Sequence, residues 1–116
     1  HPGAIIGSNV DLGEGTQVMA GAVVQPGAVI GENVILNTAC SVDHDSRIGD
    51  HTHIAPGAIL SGDVTIGEGT HIGAGAVIVE GVRVGDDCMI NAGVVVTGDV
   101  SDGQKVSLHS RENYHQ

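Results

Sequence analysis

The chain has 116 residues, 19 of them glycine, with no Trp or Phe and a single Tyr, so aliphatic side chains rather than rings must fill its core. Fourteen acidic residues against four basic ones give a formal net charge of -10. That balance excludes the basic footprint of a nucleic-acid binder, and Arg47, Arg83, Lys105 and Arg111 are too scattered to hold an anionic membrane surface.

No apolar run approaches the roughly 20 residues that span a bilayer, and no basic-then-apolar leader opens the chain. The first residue is His rather than Met, which reads as a piece of a longer parent. Cys40 and Cys88 make no disulfide framework, and the expected compartment is the reducing cytoplasm.

Every sixth residue from position 6 is aliphatic: Ile6, Leu12, Val18, Val24, Ile30, Leu36, Val42, Ile48, Ile54, Leu60, Ile66, Ile72, Ile78, Val84, Ile90 and Val96. The chain's overall content of Ile, Leu and Val would produce such a run by chance roughly once in a billion registers. Four residues after each aliphatic stands a small or β-branched one, from Val10 and Thr16 through Cys40, Ser46 and Thr70 to Cys88 and Val100. A helix would repeat at about 3.6 residues, and a meander would vary its spacing. A strict six predicts a solenoid in which each hexapeptide is one short strand and one corner, and three hexapeptides close a triangular coil. Both recurring positions point inward, and Gly, Asn and Asp at the corners supply tight or positive-φ backbone. The predicted fold is all-β: five to six coils over residues 1–100, all sixteen aliphatics buried, with 101–116 as an extension that caps the open end or is disordered. Within that extension Val106 and Leu108 are candidates to add one further side.

The two cysteines occupy the small inward position eight hexapeptides apart, roughly 13 Å along the axis, and read as core filler. Of the seven histidines, His1, His109 and His115 lie outside the strict repeat. His44 points outward at a corner, flanked by Asp43 and Asp45, with Pro26 and Gly62 as its column neighbours and open space around it. A carboxylate beside an imidazole fixes its tautomer and raises its basicity, as a general base requires. The bland reading is a solvated His among surface acids. His53 and His71 are eighteen residues apart and hence stacked, and Ile35 and Met89 extend the column into an outward apolar stripe suited to subunit packing.

These residues resemble the hexapeptide-repeat, left-handed parallel β-helix acyltransferases. The left hand comes from that resemblance; the general rule for crossovers favours the right. The closest likeness is to the sialic acid O-acetyltransferases and to the bacterial N-acetyltransferases of nucleotide amino sugars. HPGAII at the start resembles their His-Pro-x-Ala-x-Ile phrase, and VDHDSRIGDHTHIAPGA resembles their central phrase. The resemblance implies acetyl-CoA as acyl donor, a sugar or nucleotide-sugar acceptor, and a homotrimer with active sites between subunits. It implies His44 as base and Asp45 as its support, with His53, Ala74 and Ala92 against the cofactor and no metal. Two features of those relatives lie outside these 116 residues: the N-terminal βαβ domain that holds the nucleotide sugar, and the Gly-x-Pro-Ala-Lys end phrase, where SLHSRENYHQ stands instead. Arg83 or Lys105 of a neighbouring subunit would then meet the cofactor's phosphates.

With both cysteines turned inward, no activated nucleophile is in view, so the acceptor attacks the thioester directly and His44 takes its proton. Two other readings are open. One is a non-catalytic β-solenoid that trimerises or assembles. The other is a γ-type carbonic anhydrase-like metalloenzyme, with His53 and His71 as two ligands of a metal shared between subunits.

Overall fold

A computed structural model describes residues 1–108. Seventeen two-residue strands run from Ile5–Ile6 to Lys105–Val106, with no helix among the described residues. They form three parallel sheets, each strand pairing with the strands eighteen residues before and after it up to Val96. Sheet A holds Ile5–Ile6, Val23–Val24, Ser41–Val42, Ile59–Leu60, Val77–Ile78 and Val95–Val96. Sheet B holds Asp11–Leu12, Val29–Ile30, Arg47–Ile48, Thr65–Ile66 and Arg83–Val84. Sheet C holds Gln17–Val18, Ile35–Leu36, His53–Ile54, His71–Ile72, Met89–Ile90 and Lys105–Val106. The result is a left-handed β-helix of about six turns.

The interior follows the period of six. From Val24 to Val96 every sixfold aliphatic is buried, and from Ala22 to Val100 so is every small-position residue. Ser46, Thr52 and Thr70 are tolerated there because their hydroxyls are satisfied. The Thr70 hydroxyl donates to the Gly85 carbonyl at 2.7 Å and accepts from the Cys88 amide at 3.0 Å, which ties one coil to the next. Ser46 does the same with Ser61 and Val64.

The expectation that all sixteen aliphatics are buried fails at one end. Ile6 is 42% exposed and Leu12 40% exposed, and Val18 is half-buried. Within residues 1–108 this coil is covered on one side only, so its inward residues meet one neighbouring coil rather than two. At the other end Val106 is buried and extends sheet C, whereas Leu108 is exposed. The predicted capping or disorder of the extension otherwise falls on residues 109–116, outside the described residues.

The corners divide the labour of their glycines. Three residues after each sixfold aliphatic from Ile6 to Ile90 stands a positive-φ residue, whether it is Gly27 or a non-glycine such as Asn33, Ala39, Asp45 or His51. The glycines directly after an aliphatic serve close stacking instead. A Cβ on Gly49 would lie 2.8 Å from the Glu68 nitrogen on the next coil.

Candidate active site

His44 sits at the corner between sheets A and B, where Ser41–Val42 turns into Arg47–Ile48. Its amide donates to Asp43 Oδ1 at 2.7 Å, so Asp43 is used as a turn cap and not as a partner of the ring. Asp45 takes the positive-φ position, at φ 59, which swings its carboxylate back toward the imidazole. Nδ1 of His44 lies 3.4 Å from Asp45 Oδ2, with the two side chains 53% and 64% exposed. Nδ1 is therefore the ring nitrogen that faces the carboxylate, and Nε2 is turned from it. The space around the ring is not open on every side, as the column neighbours had suggested: the ring lies against Gly62 on the next coil.

His53 is placed differently. It points outward from sheet C between Ile35 and His71, and Met89 follows, so the predicted stripe is present in register. The rings of His53 and His71 stand edge to face, with centroids 4.7 Å apart. His53 Nε2 lies 3.2 Å from Asn37 Nδ2, and Asn37 Oδ1 already accepts from the Thr38 amide at 2.7 Å. The Asn37 amide group thus donates, His53 Nε2 accepts, and the His53 proton resides on Nδ1. Burial, and to a smaller degree the charge of His71, hold the His53 imidazole below its ordinary 6.5.

Ala74 and Ala92 are both exposed at the corner between sheets C and A, one coil apart. Beside them a Cβ at Gly75 or Gly93 would meet no atom within 4 Å, so this edge is smooth and open. Asn37 belongs to the same corner one coil below His53's own. Lys105 stands in the column of Met89 on sheet C, whereas Arg83 projects from sheet B.

The structure therefore gathers His53, Ala74 and Ala92 along sheet C and its corner with sheet A. It does not bring His44 and Asp45 to them, since these occupy the far corner of sheet A. Two features escaped the sequence reading. Asn37 was one, although its place sixteen residues before His53 in a coil of eighteen puts it beside that ring. The outer row of sheet A was the other: Ile5, Val23, Ser41, Ile59, Val77 and Val95 are apolar but for one serine, a period of eighteen visible in the text. Ile59 and Val95 are 44% and 51% exposed. Cys40 and Cys88 are free and buried, as core filler should be. Among the described residues no three His, Cys, Asp or Glu are grouped to hold a metal within one chain.

The bacterial transferase hexapeptide (six repeats) family matches residues 27–62, 45–79 and 63–98. The chain belongs to that family. Among solved structures it is similar to the acetyltransferase domain of PglB from Neisseria gonorrhoeae, free and in complex with acetyl coenzyme A. Identity there is 44% over 91% of this chain and 52% of that one, with a TM-score of 0.91. It is similar to PerB from Caulobacter crescentus in complex with CoA and GDP-perosamine, at 42% identity over 88% of this chain and 49% of that one, TM-score 0.87. It is also similar to WeeI from Acinetobacter baumannii, at 30% identity over 92% and 53%, TM-score 0.89. No curated protein matches the chain. The chain spans about half the length of these solved structures.

Proposed function

We propose that this chain carries the transfer step of an acetyl-CoA-dependent acetyltransferase acting on an amino or hydroxyl group of a sugar or nucleotide sugar. The observation that carries the reading is the His44–Asp45 contact, 3.4 Å from Nδ1 to Oδ2, in a chain 44% identical to an acetyltransferase domain solved with acetyl coenzyme A. The GDP-perosamine held by PerB makes a nucleotide-linked amino sugar the first acceptor to try.

The working unit is a homotrimer. His44 and the His53 edge lie on different sides of one prism, so a single chain cannot assemble them into one site. Sheet A has an apolar outer row, and sheet C carries Ile35, His53, His71 and Met89 in one outward column. Packing sheet A of one protomer on sheet C of the next, around a threefold axis, buries both rows and brings the His44 corner toward a neighbour's His53. No helix among the described residues is long and apolar enough to cross a membrane. The cytoplasm is the proposed site of action, in keeping with two unpaired buried cysteines.

The residues fit acetyl-CoA. Small Ala74 and Ala92 on an open edge leave room for the pantetheine arm, His53 stands beside it, and Lys105 is the cation on that face. Acetyl-CoA, when bound, supplies the acetyl group as a thioester. His44 Nε2 accepts the proton that the attacking amine or hydroxyl gives up, and Asp45 stabilises the resulting imidazolium through Nδ1. His44 then returns that proton to the leaving sulfur. Burial favours the neutral His53 ring, and the Asn37 amide group on Nε2 leaves Nδ1–H as its donor. Thiol release from acetyl-CoA with GDP-perosamine as acceptor tests the reading. Turnover that His44→Ala abolishes while acetyl-CoA still binds supports it; undiminished turnover in His44→Ala refutes it.

A further inference from the structure

Pro26, His44, Gly62 and Glu80 occupy the same place on four successive coils, the corner between sheets A and B. That turn accommodates Pro, His and Glu, and Gly62 does not have positive φ; the positive-φ residue of its turn is Asp63, at φ 57. The backbone therefore does not ask for glycine at 62. The imidazole of His44 does. A Cβ at 62 would lie 2.6 Å from His44 Cε1, 2.7 Å from Nε2 and 3.3 Å from Nδ1. Gly62 is buried, whereas Pro26, His44 and Glu80 are exposed, and the ring is what lies over it. On the coil below, the Asp45 carboxylate lies over Gly27 in the same fashion. Gly27 has φ 81 and so has a backbone reason to be glycine; Gly62 has none but the ring.

We propose that Gly62 is a positioning residue whose missing side chain is the seat of the His44 imidazole, holding Nδ1 beside Asp45. The proposal rests on the reading of His44 as general base. Its effect is geometric: a methyl group at 62 turns the ring out of its seat, and a displacement of about 1 Å in a reacting group costs on the order of a hundredfold in rate.

The test is Gly62→Ala, alone and combined with His44→Ala. At ordinary φ the substitution restricts the unfolded chain, so the melting temperature should hold or rise. The His44 Cε1–H proton resonance, assigned by its loss in His44→Ala, should move, while those of His53 and His71 stay. With acetyl-CoA and GDP-perosamine, kcat should fall about tenfold or more with the KM for acetyl-CoA unchanged. In the His44→Ala background, Gly62→Ala should raise the melting temperature more than it does beside an intact His44, because the clash is gone. That cycle also decides the matter if Gly62→Ala alone folds poorly. An unmoved His44 resonance, or an identical melting shift with and without His44, overturns the seat. Unchanged kcat in Gly62→Ala beside an inactive His44→Ala overturns it too, leaving the general base intact. Full turnover in His44→Ala would instead remove the base reading, and the resonance and the thermal cycle would still judge the seat.

Discussion

Two corners of the same prism use acidic residues in opposite ways. At the corner between sheets B and C, Asp50 Oδ1 accepts the Glu32 amide, Asp86 Oδ1 the Glu68 amide and Asp102 Oδ1 the Asp86 amide, each at 2.8 Å. Those carboxylates close turns on the neighbouring coil. At the corner between sheets A and B, Asp43 accepts the His44 amide within its own turn, and Asp45 faces an imidazole. Part of the acidic excess thus serves the turns of the solenoid, whereas Asp45 is the carboxylate paired with an imidazole.

The largest effect should come from the interior that both corners share. Ile54 is fully buried, and Ile54→Asp places an unpaired charge among aliphatics, so the coil should lose its cooperative thermal transition and its β-type far-UV spectrum. Next comes the contrast itself. His44→Ala should lower turnover by about 10²–10⁴ without weakening acetyl-CoA binding by calorimetry. Asp45→Asn, which keeps a residue tolerant of positive φ, should lower kcat and barely move the melting temperature. Asp86→Ala should do the reverse, costing about 1 kcal/mol of stability in denaturant titration and leaving kcat alone. If Asp86→Ala impairs turnover as much as Asp45→Asn, the two corners are not distinct.

His53 gives a smaller, pH-dependent effect. Its folded imidazole titrates below the ordinary 6.5, chiefly through burial, so folding favours the neutral ring. The stability this contributes is present above about pH 6.5 and is lost as pH falls from there toward the folded value. Melting temperature measured down through that window should decline, and His53→Asn should flatten the decline. The smallest effect is a null one. Burial pushes the Cys40 thiol up to about 11, so iodoacetamide at neutral pH should leave Cys40 unmodified until the protein is denatured.

The period of six made the interior legible, because each inward position meets an equivalent one eighteen residues on and packing allows only aliphatic or small residues. The exposure of Ile6 and Leu12 was not legible because a period says nothing of how many coils cover each position. His44, Asp45, His53, Ala74 and Ala92 were named from phrases that resemble a family, and their columns followed from arithmetic on eighteen. The rotameric facts were not legible: that Asp43 caps a turn while Asp45 turns toward the His44 ring, that Asn37 reaches His53, and that the imidazole rests on Gly62. These depend on which way a side chain leaves a corner, and spacing does not encode it.

The proposed site needs two chains, His44 from one protomer and His53 from the next. Mixing His44→Ala and His53→Ala trimers, after reversible dissociation and reassembly, tests it directly at subsaturating acetyl-CoA. Random reassembly pairs an intact His44 with an intact neighbouring His53 at half times half of the interfaces, so about one quarter of the unmodified activity should return. No recovery beyond the two parent variants, in a preparation shown to have exchanged subunits, would contradict it.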